Sequence, residues 1–380
     1  MTVNSAAWDT MYKERRALLA ASLRERGIAA ARFEDFEHLR SPSVRYLCGH
    51  PGDAFLLVSS TGNSVLIPWD VNMARAMSHA DEILPYTSFG RNPGKATRAA
   101  LEWLGIPPGS KVELSSSTPY PSYVDHVAAL EEWDLVCQED GASAKVLSLR
   151  ARKDPSELEI YVRASALTDR IMDEVEAALR SGDLAREVDV ALFIERKALE
   201  AEAEGLGFDT IAAGPGRSFG IHAFPSYGAG PFASEGMSIL DFGVVVEGYT
   251  SDVTMSFFKG KLSPEQERRV ELVRQAYDLG VAACGPGVPA REVAQRVDDF
   301  FSRHEVVMPH ALGHGIGLES HEYPGINLRE ENSAVLEPGM IVTIEPGLYD
   351  PTLGGVRLEN DILITELGHR VLTHSRIVRL

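Results

Sequence analysis

The segment that most restricts how this chain folds is HALGHGIGLESHEYP, residues 310–324. The four-residue spacing of His310 and His314 is the one that places two histidines on the same face of a helix. Three glycines within five residues would, however, lower the helix propensity of this segment by about 2 to 3 kcal/mol. These are Gly313, Gly315 and Gly317. The sequence therefore predicts an extended backbone that passes close to another group, and it excludes a zinc-binding helix face.

A second constraint lies in MSILDFGVVVEGYTSDVTMSFF, residues 237–258, where two runs of strand-forming residues flank Glu247-Gly248. This pattern predicts a hairpin with a two-residue turn. In that register Asp241 lies two positions along the same face as Asp252. Two carboxylates in a partly buried patch are unfavourable unless a cation lies between them. The alternative is that one or both aspartates are solvated residues near the turn.

Two glutamates also occupy apolar runs. Glu345 ends the run MIVTI just before Pro346-Gly347, and Glu359 lies inside GGVRLENDILIT. A glutamate within a strand is disfavoured by propensity and, when buried, must be paired or bound to a metal. Either residue taken alone also fits a strand-edge position on the surface.

These residue types together favour a metal site. One histidine and four carboxylates give an oxygen-rich site, which suits Mn(II), Co(II), Fe(II) or Zn(II) better than a sulfur-rich structural zinc site would. Two divalent ions would balance four negative charges. The sequence thus predicts a carboxylate-bridged two-metal centre with its ions about 3.5 to 4 Å apart.

Chain length and pattern predict two α/β (α+β) domains, residues 1–148 and 149–380. The chain has 380 residues, and domains usually span about 100 to 200. Asp154, Pro155 and Glu157 read as the capped start of a long helix. Before it, helical patterns mix with the short apolar runs AFLLVS, SVLIPW and KVELS. After it, the pattern predicts helices at about 155–181, 186–204, 264–284 and 290–303, and strands at about 237–258, 340–345 and 356–365.

Composition narrows the partners and the compartment. A formal net charge of −18 argues against nucleic acid, because binding phosphates needs surplus lysine and arginine. No run approaches the roughly 18 apolar residues of a membrane span, and the first residues do not resemble a secretory signal. Three isolated cysteines suit a reducing compartment. We therefore expect a cytoplasmic protein without membrane or nucleic-acid partners.

Four motifs, taken together, resemble those of a known family. LDFGVVVEGYTSDVT, GHGIGLESHEYP, TIEPGLY and GVRLEND follow the order and form of the metal-binding motifs of the pita-bread metallopeptidases, which include methionine aminopeptidase, aminopeptidase P and prolidase. The amino-terminal part, with VRYLCGHPGD, is similar to the creatinase-type domain of aminopeptidase P and prolidase. The resemblance implies a creatinase-like α/β domain followed by a pita-bread catalytic domain. It also implies five metal ligands, with Asp252 and Glu359 bridging two ions: Asp241, Asp252, His314, Glu345 and Glu359.

The same resemblance assigns residues to the substrate side. His222 and His321 match histidines that contact the substrate, and a histidine beside such a centre can stabilise the oxyanion that develops during acyl transfer. His310 is expected either in the pocket wall or in direct contact with substrate, and Arg357 is expected to bind substrate. Without the neighbouring motifs, each histidine would be read as an ordinary core or surface residue.

The implied activity is hydrolysis of the Xaa-Pro amide of short peptides by an Xaa-Pro aminopeptidase or dipeptidase. Glu345 matches the residue that passes a proton from water to the leaving nitrogen. Mn or Co is the expected metal, with Zn or Fe possible, and the expected assembly is a homodimer.

Two alternatives stay open at this point. The first is a hydrolase of the same fold that acts on a small C–N compound, as ectoine hydrolase or creatinase does. The second is a binding module, although relatives that lost catalysis also lack ligands. Two departures from the family pattern bear on substrate choice: Met255 lies in Thr-Met-Ser rather than Thr-Arg-Thr, and Asn360 follows Glu359 in place of aspartate.

Overall fold

The computed structural model describes residues 5–37 and 39–380 of the chain. Two compact units divide between Arg150 and Ala151. The domain limits predicted from sequence lie two residues earlier, between residues 148 and 149. Among the described helices, none has both the length and the apolar character needed to cross a membrane.

The first unit is built on a mixed sheet whose strand order is β4-β3-β2-β1-β5-β6. All three apolar runs noted in the sequence form strands of this sheet, which confirms its α/β character. A short 3₁₀ helix occupies Tyr86–Phe89. The helices are α1 (Ser5–Glu25), α2 (Ser43–Cys48), α3 (Val71–Met77), α4 (Pro93–Trp103), α5 (Tyr120–Ala129) and α6 (Ala142–Ala151). The strands are β1 (Ala30–Asp35), β2 (Ala54–Ser59), β3 (Ser64–Pro68), β4 (Glu82–Ile83), β5 (Lys111–Leu114) and β6 (Asp134–Val136).

The helices of the second unit follow the predicted pattern. They are α7 (Pro155–Ser181), α8 (Glu187–Glu200), α9 (Pro264–Ala283) and α10 (Ala290–Arg303). The predicted extension of α8 to residue 204 is wrong, because Glu202 adopts a left-handed φ of 59° that ends the helix.

Helix α7 begins at the predicted cap. The Asp154 side chain accepts from the backbone N–H groups of Ser156 and Glu157, at 2.9 and 3.0 Å, and the Glu157 carboxylate accepts from Asp154 N at 2.9 Å. This reciprocal pairing satisfies donors that the first helical turn leaves open. The buried face of α7 includes Leu167, Ile171 and Val175, as the apolar periodicity predicts.

The strands of the second unit form several small sheets. The largest have the orders β14-β13-β15-β18-β19 and β20-β12-β9-β8. The strands are β7 (Gly205–Leu206), β8 (Ile211–Ala213), β9 (Gly236–Phe242), β10 (Val244–Val246), β11 (Tyr249–Thr250), β12 (Val253–Lys259), β13 (Gly313–Gly315), β14 (Glu322–Ile326), β15 (Ile341–Ile344), β16 (Gly347–Asp350), β17 (Gly354–Arg357), β18 (Asn360–Thr365), β19 (Gly368–Val371) and β20 (Ile377–Arg379).

The predicted hairpin turn is confirmed. Val246 pairs with Tyr249 across Glu247-Gly248, and both turn residues have positive φ, 48° and 90°. The predicted continuous strands are interrupted, however, at Gly243 and at Ser251. A Cβ at Gly243 would lie 1.9 Å from the Ser251 carbonyl oxygen, so the two backbones approach more closely there than a side chain permits. Each strand of the hairpin therefore changes sheets at the interruption: β9 and β12 lie in one sheet, and β10 and β11 lie in another.

The predicted strand at 356–365 is also divided, into β17 and β18. Leu358 and Glu359 separate the two, and the Glu359 N–H donates to the Thr254 carbonyl at 3.2 Å. Because that bridge ties Glu359 to β12 rather than to its own sheet neighbours, the chain changes sheets at this residue.

The glycine-rich segment has the extended conformation expected of it. His314 lies in β13, between two glycines that face other backbone. A Cβ at Gly313 would lie 1.9 Å from Thr343 O, and one at Gly315 would lie 2.3 Å from Tyr323 O. Any side chain at these two positions would therefore push β13 away from its neighbours.

The cap of α7 gives a stability prediction. Asp154→Ala removes both acceptor contacts of the capping box and should lower the free energy of unfolding by about 1 kcal/mol, measured by urea denaturation followed by circular dichroism. Glu159→Ala, at an exposed position of the same helix, is the control and should change it by less than about 0.5 kcal/mol. Equal losses in the two variants would contradict the proposed importance of the cap.

Candidate metal centre

Asp241 and Asp252 belong to the two neighbouring chain segments of the β9–β12 pair. Asp241 lies in β9 opposite Thr254, and Asp252 lies immediately before β12. Their exposures are 6% and 4%, so the solvated-aspartate alternative is wrong for both. Two buried carboxylates therefore lie two positions apart on one face of the hairpin, as the register predicts.

The His314 ring presents one nitrogen to this pair. Its Nδ1 lies 3.1 Å from Gly315 O, so that nitrogen carries the proton and Nε2 keeps its lone pair. His314 Nε2 lies 3.8 Å from Asp252 Oδ2 and 3.5 Å from Glu345 Oε1. An imidazole oriented in this way can serve as a metal ligand through Nε2.

The two glutamates complete the cluster. Glu345 directly follows β15, and its N–H donates to Leu312 O at 2.8 Å. Glu359 is 2% exposed, and its Oε2 accepts from the Thr254 hydroxyl at 2.7 Å. The surface-edge alternative is therefore wrong for Glu359.

Three of these side chains form a compact group of possible ligands. One ligand atom each from Asp252, His314 and Glu359 lie within 4.8 Å of one another. Asp241 and Glu345 line the same cavity, which has a volume of about 450 Å³. The structure thus brings together all five residues that the sequence predicted as ligands, and their roles are taken up below as a proposal.

Electrostatic repulsion within the cluster shows that a cation fits it. Burial raises the pKa values of Asp252 and Glu345 well above their ordinary range, and the neighbouring Glu359 carboxylate raises them further. Burial, with Asp241 adding to it, raises the pKa of Glu359 to about 8. Asp241 Oδ1 is buried and has no hydrogen-bond partner among the described residues. Divalent cations would both neutralise these carboxylates and occupy the unpartnered oxygen.

Arg357 lies beneath the cluster rather than in the cavity wall. It is 1% exposed and its Nη2 forms an ion pair with Asp241 Oδ2. Its other donors bind the Thr254 hydroxyl, the Ile221 carbonyl and the Tyr349 hydroxyl, each at 2.9 Å. With these donors engaged, Arg357 is placed to position Asp241 and not to contact a substrate, contrary to the expectation from sequence.

The three predicted substrate-side histidines line the cavity. The His321 ring packs on His314 with centroids 4.1 Å apart. His310 Nδ1 lies 2.8 Å from Ala311 O, and its Nε2 lies 3.0 Å from the Tyr349 hydroxyl. Burial lowers the pKa of His310 to about 4 and that of His314 to about 3, so both rings are neutral near pH 7. Both nitrogens of His310 have partners, which favours its pocket-wall role.

The sequence analysis did not predict three other residues near the centre or in the cavity wall. Asp361 is fully buried and its Oδ2 accepts from the Asp252 N–H at 3.3 Å. The reasoning that selected Glu359, a charged side chain in a buried strand, applies equally to Asp361. Asn327 and Arg329 line the cavity after β14, where no sequence pattern distinguishes them from surface residues.

The two departures from the family pattern do not line the cavity. Met255 is fully buried in the hydrophobic core. Asn360 Nδ2 donates to the Tyr277 hydroxyl at 2.9 Å, and Asn360 is 2% exposed. Both side chains therefore affect packing around the centre and do not contact a ligand in the cavity.

Four carboxylates and one imidazole that line one cavity are the donor set of a metal-dependent enzyme. The sequence model of metallopeptidase family M24 matches residues 159–366. The chain therefore belongs to this family. The uncharacterized peptidase YqhT of Bacillus subtilis is 33% identical over 337 residues, which cover 88% of this chain and 91% of that protein.

Solved structures of peptidases are similar to this chain over nearly its whole length. The Xaa-Pro dipeptidase from Bacillus anthracis is 28% identical with a TM-score of 0.84, covering 97% of this chain and 100% of that one. The prolidase from Pyrococcus horikoshii is 25% identical with a TM-score of 0.82, covering 95% and 98%. These matches confirm the resemblance and the fold class predicted from the four motifs: an amino-terminal α/β domain and an M24 catalytic domain. The protein is a metallopeptidase, and its family implies a metal cofactor.

The cluster predicts the effect of metal on the protein. Chelator-treated protein dialysed against Mn(II) should bind about two ions per chain and unfold at a higher temperature, because bound cations relieve the carboxylate repulsion. Asp252→Asn should reduce this binding, whereas Glu337→Gln, an exposed change away from the cavity, should not. Metal content is measured by mass spectrometry and stability by calorimetry; unchanged binding in Asp252→Asn would count against the site.

Proposed function

We propose that the protein is a dinuclear metal-dependent hydrolase that cleaves the Xaa-Pro amide of short peptides. The observation that carries this proposal is the convergence of five ligand-type side chains and three histidines on one cavity. The names of the similar solved structures, an Xaa-Pro dipeptidase and a prolidase, support the choice of substrate.

Five residues would hold the ions: Asp241, Asp252, His314, Glu345 and Glu359. Mn(II) or Co(II) suits this oxygen-rich set best, and Zn(II) or Fe(II) also fits. Such ions, when bound, polarise the scissile carbonyl and make water acidic near neutral pH.

Glu345 is the carboxylate best placed to move a proton. Its side chain is 16% exposed, against 8% for Asp241 and 6% for Asp252, so it is the one of these three most open to the cavity. In this position its free oxygen takes the proton of the attacking water and delivers it to the proline nitrogen as the amide breaks.

The histidines act on the substrate carbonyl. A protonated ring nitrogen of His222 or His321 donates to the oxyanion that develops during attack, which lowers the energy of the transition state. His310 accepts from the Tyr349 hydroxyl, whose oxygen accepts in turn from Arg357. This chain holds one wall of the cavity in place while Arg357 fixes Asp241.

Arg329 sets the length of the substrate. It is exposed and lines the cavity, whereas the guanidinium of Arg357 is buried and paired with Asp241. Among the described lining residues, Arg329 is the cationic side chain free to meet a peptide's terminal carboxylate. A dipeptide carries that carboxylate on the proline itself, and we therefore propose a dipeptidase rather than an aminopeptidase.

A substrate panel tests the activity. Mn(II)-loaded protein is given Ala-Pro, Ala-Pro-Ala, Ala-Ala and a cyclic amidine of the ectoine type, and released products are separated by chromatography. Cleavage of Ala-Pro well above Ala-Ala is the expected result. Hydrolysis of the cyclic amidine alone would replace the peptidase by a small-molecule hydrolase, and no turnover of any compound would leave a binding role.

Glu345→Gln tests the proton carrier. We expect kcat for Ala-Pro to fall by at least about 100-fold, the usual range for a general acid-base, with metal binding less affected than in Asp252→Asn. Glu337→Gln is the matched control and should retain kcat. Near-normal turnover by the Glu345 variant would refute the role.

Arg329→Met tests the recognition of the carboxylate. KM for Ala-Pro should rise about tenfold or more with kcat little changed, because the lost ion pair acts on binding. Arg303→Met, an exposed change elsewhere, is the control. With Ala-Pro amide, which has no terminal carboxylate, the two variants should behave alike; an equal KM penalty for the amide would contradict the assignment.

The homodimer and the cytoplasmic localisation stay predictions from the sequence. Sedimentation velocity on the full-length protein checks the first, and fractionation of cells that express it checks the second.

A further inference from the structure

The first unit contains a second cavity, of about 490 Å³. It opens where β1 and β3 end and α5 begins, and its lining residues all fall between Arg32 and His126. Because these residues belong to the first unit alone, what the cavity binds does not depend on the proposed peptide hydrolysis.

Arg32 lies at the base of this cavity with an unused donor. Its side chain is fully buried; Nη1 forms an ion pair with Glu34 Oε2 at 2.8 Å and Nε donates to the Thr97 hydroxyl at 3.2 Å. Nη2 has no hydrogen-bond partner in the described part of the chain. A buried guanidinium donor without an acceptor is unfavourable, and the group that best satisfies it is a carboxylate oxygen.

His126 supplies an unused acceptor in the same wall. It is 3% exposed, and its Nδ1 lies 2.6 Å from the Ser122 carbonyl, so Nδ1 carries the proton and donates. Its Nε2 is therefore an acceptor, and it lacks a partner among residues 5–37 and 39–380. Burial lowers the pKa of His126, which keeps the ring neutral.

Carboxylates add further acceptors. Glu34 is 3% exposed beside Arg32, while Glu37 and Asp53 line the outer part of the cavity. Asp53 is paired with Arg40 at 2.7 Å and Glu34 Oε2 with Arg32 at 2.8 Å, so Glu37 is the lining carboxylate most available to a cationic ligand atom. The cavity thus offers one unmet donor together with several acceptors.

The remaining wall is aromatic. Trp69 packs against Tyr86 and Phe36, with ring centroids 4.3 and 5.0 Å apart. Trp69 nevertheless stays 40% exposed, so part of its surface is free to cover an apolar group. Phe55 lies deeper, under the Arg32 guanidinium at 4.1 Å.

We propose that this cavity binds a free amino acid with an apolar side chain. The carboxylate of the amino acid accepts from Arg32 Nη2, its ammonium group donates to His126 Nε2 and the neighbouring carboxylates, and its side chain packs on Trp69. The carboxylate, the ammonium group and the apolar side chain of the ligand would thus each contact a group of complementary character in the cavity.

Calorimetric titration of the full-length protein with L-leucine tests the proposal. N-acetyl-L-leucine lacks the ammonium group and L-leucinamide lacks the carboxylate, so each should bind at least about tenfold more weakly than L-leucine. Absence of saturable binding by L-leucine, or equal binding of the three compounds, would overturn the proposal.

Variants then locate the site. Trp69→Ala should weaken L-leucine binding about tenfold, while Trp103→Ala, which removes a tryptophan of similar exposure outside the cavity, should leave it within about twofold. Glu345→Gln should bind L-leucine normally; loss of binding there and not in Trp69→Ala would place the amino acid in the metal centre and refute the second site.

Arg32→Lys probes the donor. A lysine keeps a positive charge beside Glu34 but lacks the second guanidinium nitrogen. We expect it to lose the preference for L-leucine over L-leucinamide while retaining the preference over N-acetyl-L-leucine. If this variant does not fold, as judged by circular dichroism, Trp69→Ala and the two leucine derivatives still decide the question. A folded variant with unchanged preferences would contradict the role of Arg32.

Discussion

The mutual repulsion of four closely spaced carboxylates is the main electrostatic constraint on the second unit. Asp241, Asp252, Glu345 and Glu359 each lie in, or directly beside, a strand that is tied to its neighbours by backbone pairing. The strands cannot separate to relieve the repulsion without losing those pairings. Instead the buried guanidinium of Arg357 pairs with Asp241, and the geometry admits metal ions. The paired strands therefore hold the carboxylates in fixed positions. Whether all four are ionised depends on how far nearby cations neutralise their charge.

Sequence reasoning succeeded where chemistry and local pattern agreed. A charged residue in an apolar run identified Glu359, and the two-residue turn fixed the relation of Asp241 to Asp252, since both inferences need only a short stretch of chain. The glycines around His314 were interpreted correctly because the steric cost of a side chain at Gly313 is local to the two backbones.

The failures have a common physical cause. Arg357 was expected to contact substrate, yet its partners Asp241, Thr254 and Ile221 lie more than a hundred positions away in sequence, so its burial depends on sheet packing that no local pattern encodes. The second cavity escaped for the same reason, because the strand order of the first unit brings Arg32, Trp69 and His126 together. Propensity also cannot show that a strand changes sheets, as it does at Glu359.

The ion pair between Arg357 and Asp241 has a further consequence, for the electrostatic potential of the cavity. Four carboxylates and one guanidinium leave a formal charge of three negative units, which the two divalent ions proposed above would convert into one positive unit. With both ions bound, the cavity would be a positively charged recess in a chain whose formal net charge is −18. Such a field would attract small anions into the cavity, while the negative charge of the rest of the protein would slow the approach of acidic peptides. Under the proposed function, the charge of the cavity would therefore favour some ligands over others during diffusion, before they reach the metal centre.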